Sequence, residues 1–371
     1  MAEPIHTNTI VIGAGAAGLA CAACLSQKEI PFVLLEQDDS LGKQWTNRYD
    51  RLHLHTPRTH SGLPYFRIPA HYPKYLSKND FADYLNQYAS FFQIKPHFNH
   101  KVISVEREEN NWITVTSTNT FYSKNVIIAT GYARNPVTPE NSGYTGEVIH
   151  SAEYRNGKKY KSKKVLVVGF GNSACEIAIC LHEHQALPAM SVRSGVNIIP
   201  RDIAGIPIVS MAIAQQWITK ISARLTDFIN QPVLRLINGN LGKSGLKKLP
   251  YGPIEQIVKY KKIPLIDIGT LDLIKKKKIK IYPDIQTITP EGVTFTDGTK
   301  ENFDAIIFAT GYQPGLADFL KDHHASSDAN GISRKDSFPS PYFCGFNVSP
   351  TGMIREIGIE ARKIVKQISQ P

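Results

Sequence analysis

The chain has 371 residues, 42% of them hydrophobic, and a formal net charge of +11. This length predicts two domains, and we expect a soluble, cytoplasmic protein because neither a membrane-spanning apolar run nor a secretory signal is found in the sequence. The five cysteines are too dispersed for a disulfide framework and are predicted to be reduced thiols. The lysines form separate clusters without interleaved aromatics, which argues against nucleic-acid binding.

The first predicted element is a short buried strand, 9–12, that leads through a glycine-rich turn into a helix, 19–28. The turn reads G-A-G-A-A-G and consists of Gly13, Ala14, Gly15, Ala16, Ala17 and Gly18. Gly13 permits the tight turn, Gly15 lets the backbone approach a pyrophosphate at the helix N-terminus, and Gly18 allows close packing of helix on strand. This pattern predicts a dinucleotide site.

The next strand, Phe32–Leu35, ends in Glu36. A carboxylate at this position accepts hydrogen bonds from an adenosine ribose and repels a 2′-phosphate. The first loop is therefore predicted to bind FAD or NAD rather than NADP. A later strand, 126–128, runs into A-T-G-Y, where Thr130 and Gly131 are further candidates for this site.

The helix after the first loop carries Cys21 and Cys24 in a C-x-x-C spacing. A redox disulfide is one interpretation of this spacing. We expect two packed thiols instead, because this helix would lie under the adenosine half of the ligand, far from an isoalloxazine ring.

A second strand, turn and helix unit begins near residue 164 and repeats the first. Its turn reads G-F-G-N-S-A and consists of Gly169, Phe170, Gly171, Asn172, Ser173 and Ala174. The next strand, 188–192, ends in Arg193 and Ser194, a guanidinium and a hydroxyl suited to a 2′-phosphate. This unit is predicted to bind NADPH. A second A-T-G-Y places Thr310 and Gly311 at the NADPH site or at the domain junction.

The repeated unit predicts an α/β fold with two Rossmann-like domains, similar to glutathione reductase, with the NADPH domain inserted into the FAD domain. The expected boundaries are 1–150 and 304–371 for the FAD domain and 151–303 for the NADPH domain. Within the latter, residues 203–249 are apolar at helical spacing, with Pro207 and Pro232 as expected breakers. This helical excursion would cover the active site or lie on a membrane surface. Met211, Trp217 and Phe228 are candidates for a substrate-pocket wall, and core packing is the alternative for most of it.

Between the loops, Y-T-G-E-V-I-H-S-A-E-Y runs from Tyr144 through Gly146 and His150 to Tyr154. It resembles the flavin-containing monooxygenase signature F-x-G-x-x-x-H-x-x-x-[YF], with tyrosine for the first phenylalanine. Together with the two loops and the two A-T-G-Y turns, it is similar to class B flavin monooxygenases. Four longer matches resemble the YUCCA branch, the indole-3-pyruvate monooxygenase type: Y-D-R-L-H-L-H-T-P-R at 49–58, V-V-G-F-G-N-S-A-C-E-I at 167–177, I-P-L-I-D-I-G at 263–269 and P-Y-F-C-G-F at 341–346.

The resemblance implies that NADPH reduces FAD, that dioxygen adds to the flavin as a C(4a)-peroxide, and that this attacks the keto carbon of a 2-oxo acid such as indole-3-pyruvate. The implied partners are a small-molecule substrate and dioxygen, with no metal. Three alternatives stay open: an oxygenase acting on nitrogen or sulfur, a dithiol–disulfide reductase, and a nicotinamide-sensing flavoprotein without turnover. A peripheral membrane contact and a homodimer are also left open.

The resemblance also assigns residues beyond the loops. Trp45, Arg48 and His53 correspond to the stretch that lies against FAD, and the backbone of Gly345 and Phe346 is a further FAD contact. His55 is the first candidate for the catalytic residue beside the reacting oxygen, and the alternative is a histidine that caps a turn. Asn172 is the second, and it is expected to order the turn of the second loop and to reach nicotinamide or flavin edges. His150 is expected to be structural, bonded to backbone before the crossing between domains.

Overall fold

The computed structural model describes residues 3–140, 143–218, 222–290, 292–320, 325–328, 331–334 and 341–370, with the backbone alone described at 215–218, 325–328 and 331–334. The chain divides into two compact units. The first unit comprises Met1–Asn47, Thr56–Asn135 and Tyr312–Pro371, and the second comprises Arg48–His55 and Pro136–Gly311.

The strands of the described residues are, in chain order, β1 (Ile5–Ile12), β2 (Phe32–Leu35), β3 (Val102–Glu108), β4 (Asn111–Thr116), β5 (Thr120–Ile128), β6 (Asn135–Pro136), β7 (Glu147–His150), β8 (Lys164–Val168), β9 (Leu187–Ser191), β10 (Ile198–Pro200), β11 (Asp202–Ile203), β12 (Ile206–Pro207), β13 (Leu265–Asp267), β14 (Lys280–Tyr282), β15 (Ile285–Thr289), β16 (Gly292–Phe295), β17 (Lys300–Glu301), β18 (Ala305–Phe308), β19 (Tyr312–Gln313), β20 (Ala325–Asp328), β21 (Gly331–Arg334) and β22 (Tyr342–Phe343).

The α-helices are α1 (Ala16–Ser26), α2 (Lys43–Thr46), α3 (Lys78–Phe91), α4 (Asn172–Glu183), α5 (Ile208–Ile218), α6 (Ala223–Asn238), α7 (Pro253–Tyr260), α8 (Thr270–Lys275) and α9 (Met353–Ile368). Within the described ranges, none is long and apolar enough to cross a bilayer.

The first unit is built on a sheet with the strand order β2-β1-β5-β4-β3. β1 pairs in parallel with β2 and β5, and α1 makes the crossover that a parallel pair requires. Ile12 is the register partner of both Leu35 and Ile128, so the three strands end at one edge of the sheet. The first glycine loop, Glu36 and the first A-T-G-Y turn follow these three strands and therefore lie next to one another at this edge.

The second unit repeats this plan in a sheet with the order β14-β9-β8-β18-β7, in which every neighbouring pair is parallel. Its central strands are apolar, as expected for strands covered on both faces: β18 is a continuous apolar run, and β8 is apolar after the exposed Lys164. Val168 is the register partner of Ser191 and Phe308, so the second glycine loop also begins where three strands end.

The predicted fold class is confirmed: the protein is α/β with two Rossmann-like units, the second inserted into the first. The expected boundaries at 150/151 and 303/304 are corrected by strand pairing. β18 pairs with β8, and β7 pairs with β18, so both strands belong to the second sheet. The second unit also contains Arg48–His55. The chain therefore enters its inserted part at Pro136, well before His150.

The excursion 203–249 is mainly helical within the described residues, as predicted, and begins with a short β11–β12 hairpin. Pro207 stands directly before α5 and acts as a breaker. The same expectation for Pro232 is wrong, because this proline lies inside α6.

Candidate functional site

The first glycine loop joins β1 to α1 where the parallel strands end. Gly13 has a φ of 98°, and a Cβ there would lie 2.8 Å from the Ala129 carbonyl oxygen. A Cβ on Gly18 would lie 1.8 Å from the Gly13 carbonyl oxygen, so the helix packs on the turn with no room for a side chain. Gly15, the N-cap of α1, faces open space. This cradle at a helix N-terminus fits a pyrophosphate.

Glu36 is hydrogen-bonded to this loop. The Ala14 backbone N–H donates to Glu36 Oε2 at 2.7 Å, and the Asp38 N–H donates to Oε1 at 3.0 Å. Burial raises the pKa of the Glu36 carboxyl above its usual value, and the two backbone donors oppose this shift. The carboxylate is thus held at the loop, in a position that fits the predicted contact with a ribose.

The remaining candidates of the first site lie around the same loop. Thr130, whose Cα is 3.3 Å from a Cβ built on Gly13, has a buried hydroxyl with no hydrogen-bond partner among the described residues. Such a hydroxyl is one that a bound ligand can satisfy. Gly131 and Gly345 have positive φ, and a Cβ on Gly345 would lie 3.0 Å from Ala17 Cβ. The buried members of the set are Ala14, Ala16, Ala17, Gly18, Gly345 and Phe346.

The second glycine loop repeats the geometry between β8 and α4. Gly169 has a φ of 121°, and a Cβ there would lie 2.7 Å from the Ala309 carbonyl oxygen. Gly171, the N-cap of α4, faces open space. Ala174 replaces the third glycine, and its Cβ would be 3.9 Å from a Cβ on Gly169, an ordinary contact distance. The second loop can therefore hold a dinucleotide with a slightly wider helix–turn packing.

The side chains of the second loop serve its own unit. Asn172 Oδ1 accepts a hydrogen bond from the Ile266 backbone N–H at 2.9 Å, which ties the start of α4 to β13. Phe170 packs against the hydrophobic core of this unit, and Ser173 is half-buried in the first turn of α4. The hydrogen bond between Ile266 and Asn172 makes Asn172 a positioning residue of the loop. The predicted contact of Asn172 with a cofactor stays a prediction.

Arg193 and Ser194 are exposed just beyond the end of β9. Val192 precedes them and occupies the position that corresponds to Glu36 after β2, so no carboxylate stands at this strand end. An exposed guanidinium and hydroxyl at this place fit the predicted recognition of a 2′-phosphate.

Thr310 and Gly311 shape the turn after β18. The Thr310 hydroxyl donates to the Val137 carbonyl oxygen, and the Val137 N–H donates to the Gly311 carbonyl oxygen at 3.1 Å. Gly311 has a φ of 92°, which explains the glycine. Both residues lie at the end of the inserted part of the chain, and their place at the NADPH site or at the domain junction stays a prediction.

His55 is paired with a residue that the motif patterns did not single out. Its Nε2 lies 2.6 Å from Glu176 Oε1, and the Glu176 side chain is only 1% exposed. Glu176 is the one charged residue within the buried run of α4, A-C-E-I-A-I-C, and this isolated charge is the signal that marks it. This contact fixes the ring of His55, and Glu176 supplies it from α4, the helix that follows the second glycine loop.

The predicted stretch 45–55 is divided between the two units. Trp45 lies on α2 in the first unit and packs edge-to-face on Phe81, with 4.6 Å between ring centroids. Arg48 and His53 belong to the second unit with His55. His53 is exposed, and its Nδ1 lies 2.7 Å from the Arg51 carbonyl oxygen.

The signature from Tyr144 to Tyr154 has a structural explanation. A Cβ on Gly146 would lie 2.5 Å from the Tyr144 ring, so only glycine fits there. His150 is buried, and its Nδ1 accepts a hydrogen bond from the Ala152 N–H at 3.1 Å. Burial lowers the pKa of His150, which keeps Nδ1 unprotonated as an acceptor. The expected backbone contact of His150 is therefore present, within the second unit.

The C-x-x-C thiols are packed rather than exposed. All five cysteines of the chain are buried free thiols. Burial raises the pKa of Cys24 to about 12, whereas a redox dithiol requires an accessible thiolate. The structure therefore argues against a dithiol–disulfide reductase built on Cys21 and Cys24.

The candidate pocket residues of the excursion lie on two helices, α5 and α6. Met211 is half-buried on α5, and the side chain of Trp217 lies outside the described residues. Phe228, on α6, is exposed and lines an open cavity of about 1080 Å³. Core packing, the alternative for most of this segment, is wrong for the outer face of α6.

Comparisons with known proteins agree with this geometry. Residues 10–201 match the family model "Pyridine nucleotide-disulphide oxidoreductase". The Arabidopsis thaliana protein named "Probable indole-3-pyruvate monooxygenase YUCCA1" is 37% identical over 354 residues, which cover 93% of this chain and 84% of that protein. The structure of a flavin-containing monooxygenase from Stenotrophomonas maltophilia has a TM-score of 0.76 at 20% identity and 98% coverage of both chains. Cyclohexanone monooxygenase from Rhodococcus sp. Phi1, solved bound to NADP+, has a TM-score of 0.71 at 17% identity, covering 98% of this chain and 85% of that one.

Proposed function

Because the chain belongs to the YUCCA family of flavin monooxygenases and is an oxidoreductase, we propose that it oxidatively decarboxylates an aromatic 2-oxo acid such as indole-3-pyruvate, using FAD and NADPH. The observation that carries the proposal is the difference between the residues that stand at the strand ends beside the two glycine loops. One strand end presents a carboxylate, Glu36, and the other presents Arg193 and Ser194. We further propose a cytoplasmic location, since all five cysteines are free thiols.

FAD would be held by the first unit. The open space at Gly15 would admit the pyrophosphate, and Glu36 would accept from the ribose. The Thr130 hydroxyl, which has no hydrogen-bond partner among the described residues, would donate to the ligand beside the turn. Support comes from the small side chains of the loop, since a glycine or alanine at each position leaves room for a phosphate at the N-terminus of α1.

NADPH would be held by the second unit. Gly171 offers the same open approach to the N-terminus of α4, and Arg193 with Ser194 would bind the 2′-phosphate by charge-assisted hydrogen bonds. The NADP+ complex of the structurally similar cyclohexanone monooxygenase supports this choice. Together the two cofactors, when bound, supply hydride transfer and the activation of dioxygen.

The overall reaction consumes the 2-oxo acid, dioxygen, NADPH and a proton, and yields the shortened acid, carbon dioxide, water and NADP+. The work left to the protein is to orient the substrate and to exclude water. We propose His55 as the residue beside the reacting atoms. Glu176 is its positioning residue, because a buried carboxylate at 2.6 Å fixes the ring and its tautomer.

The test is product identification with purified protein, FAD, NADPH and dioxygen. Indole-3-pyruvate, phenylpyruvate and a thioether are offered separately, and acids and sulfoxides are quantified by mass spectrometry. We expect indole-3-acetate in step with NADPH oxidation and no sulfoxide. Sulfoxide as the main product would instead establish a heteroatom oxygenase. Consumption of neither NADPH nor dioxygen with any substrate would point to a sensor without turnover.

A further inference from the structure

Helix α6 is amphipathic in the reverse sense: most of its apolar side chains face outward, and its buried side chains, Thr226, Asp227 and Asn238, are polar. On an ordinary surface helix the apolar stripe faces the core. The outward side chains recur at intervals of three and four residues along a helix that is about 24 Å long. They form what we term the α6 stripe: Leu225, Phe228, Ile229, Val233, Leu236 and Ile237. Leu236 is 86% exposed and Phe228 is 73% exposed.

Hydrogen bonds on the opposite face hold α6 in this orientation. The buried carboxylate of Asp227 accepts from the backbone N–H groups of Ile254 and Glu255, at 2.9 Å and 2.8 Å. The buried Asn238 donates from Nδ2 to the Ile198 carbonyl oxygen at 2.8 Å. Turning the helix to bury its stripe would leave these polar groups without partners, which is costly. The outward stripe is therefore a specified feature of the second unit.

The surroundings of the stripe are cationic. Residues 222–250 contain one acidic side chain, the buried Asp227, and five basic ones: Arg224, Arg235, Lys243, Lys247 and Lys248. Arg224 is paired with Glu255 at 3.1 Å. Arg235, Lys247 and Lys248 line the open cavity together with Phe228, which places positive charge directly beside the stripe.

We propose that the α6 stripe docks onto an anionic lipid surface, as a peripheral contact that is independent of the proposed oxygenase function. An apolar helix face with a basic flank suits the interface of a bilayer, where the stripe enters the acyl boundary and the cations meet anionic headgroups. A second copy of the chain fits less well. Symmetric pairing of two stripes would bring their basic flanks together, and the chain already carries a net charge of +11.

The test is co-sedimentation of the purified holoprotein with vesicles. Wild-type protein is expected to bind vesicles of phosphatidylcholine with 30 mol% phosphatidylserine and to bind pure phosphatidylcholine at least tenfold more weakly. The variant Ile229→Ser/Leu236→Ser is expected to lose at least tenfold in partitioning while keeping its flavin content and melting temperature. The matched control Ile103→Ser/Leu187→Ser removes two exposed apolar side chains elsewhere and is expected to bind like wild type.

The role of positive charge beside the α6 stripe is tested by making the same two lysine-to-glutamate substitutions at two different places. Lys247→Glu/Lys248→Glu is expected to weaken binding to the anionic vesicles at least tenfold, and Lys161→Glu/Lys163→Glu, on an exposed segment before β8, less than threefold. Equal losses in both variants would overturn the proposal, since they would report net charge alone. So would failure of wild type to bind. A wild-type dimer that Ile229→Ser/Leu236→Ser converts to monomer, without any lipid binding, would show that a second copy covers the stripe.

Discussion

The two glycine loops share one frame and differ in what surrounds it. In each, a parallel strand ends in a glycine with positive φ that lies against the alanine carbonyl of an A-T-G-Y turn. In each, a second glycine caps the next helix and faces open space. The strand ends differ: Glu36 is bonded to the first loop, whereas Arg193 and Ser194 are exposed near the second. The frame thus fits a dinucleotide, and we propose that the strand end decides which one is bound.

The largest expected effect concerns the third loop position. Gly18→Ala would place a Cβ 1.8 Å from a backbone oxygen, so the helix must shift at a cost of at least about 3 kcal/mol. We expect little soluble protein and no bound flavin, measured by expression yield and absorbance near 450 nm. Ala174→Gly, the reciprocal change, is expected to fold and to lose only about 0.5–1 kcal/mol. Normal flavin content in Gly18→Ala would show that the two loops are equally spacious.

The proposed role of the strand end after β9 is tested by the preference of the enzyme for NADPH over NADH. Arg193→Ala removes charge-assisted hydrogen bonds worth about 1.5–3 kcal/mol, so KM for NADPH is expected to rise roughly tenfold to a hundredfold. KM for NADH should change less than twofold, because NADH lacks the 2′-phosphate. Steady-state kinetics with both nucleotides decides this. An equal rise for both would remove Arg193 from 2′-phosphate recognition.

The helices after the loops also differ, since α4 has the buried Glu176 where α1 has the buried Ala20. His55→Ala would leave that buried side chain without its hydrogen-bond partner, at a cost of about 1–3 kcal/mol in unfolding free energy. We also expect more hydrogen peroxide per NADPH oxidised, with FAD still bound. Glu176→Gln keeps a hydrogen-bonding oxygen and should lose less stability. Unchanged peroxide release in His55→Ala would exclude His55 from the chemistry.

The smallest effect concerns the strand beside β18. In the second sheet this strand is the parallel β7, which ends at His150, whereas in the first sheet β5 pairs with the antiparallel β4 and, at its end, with the parallel β22. Burial lowers the pKa of His150 below 6.5, so the unfolded chain binds its proton more tightly. Stability present above pH 6.5 is therefore lost as the pH falls below that value.

His150→Asn keeps an acceptor for the Ala152 N–H and does not titrate. Its melting temperature should fall less between pH 7.5 and 5.5 than that of wild type. Some decline remains expected, because burial also lowers the pKa of His60 and His97. An identical decline in both proteins would contradict the assigned role of burial at His150.

The sequence predicted both loops and their strand-end partners because these features are local: a few adjacent residues fix the turn, the helix start and the charge. It did not predict that β18 joins the second sheet. Both A-T-G-Y turns follow similar apolar strands, and pairing depends on contacts distant in sequence. The contact between His55 and Glu176 was not predicted for the same reason, because the two residues are 121 positions apart in the sequence. Apolar spacing in residues 203–249 predicts a helix with an apolar face, but it does not predict whether that face is buried in the core or exposed, as the α6 stripe is.

The central claim, FAD on the first loop and NADPH on the second, is tested most directly by anaerobic reduction of the bound flavin in a matched pair of variants. Gly15 and Gly171 both have extended backbone and open space, so Gly15→Glu and Gly171→Glu should both fold while repelling a pyrophosphate. We predict that Gly15→Glu is isolated without flavin, and that Gly171→Glu keeps FAD that dithionite bleaches but NADPH does not. Loss of flavin from Gly171→Glu, or normal bleaching of it by NADPH, would contradict the assignment.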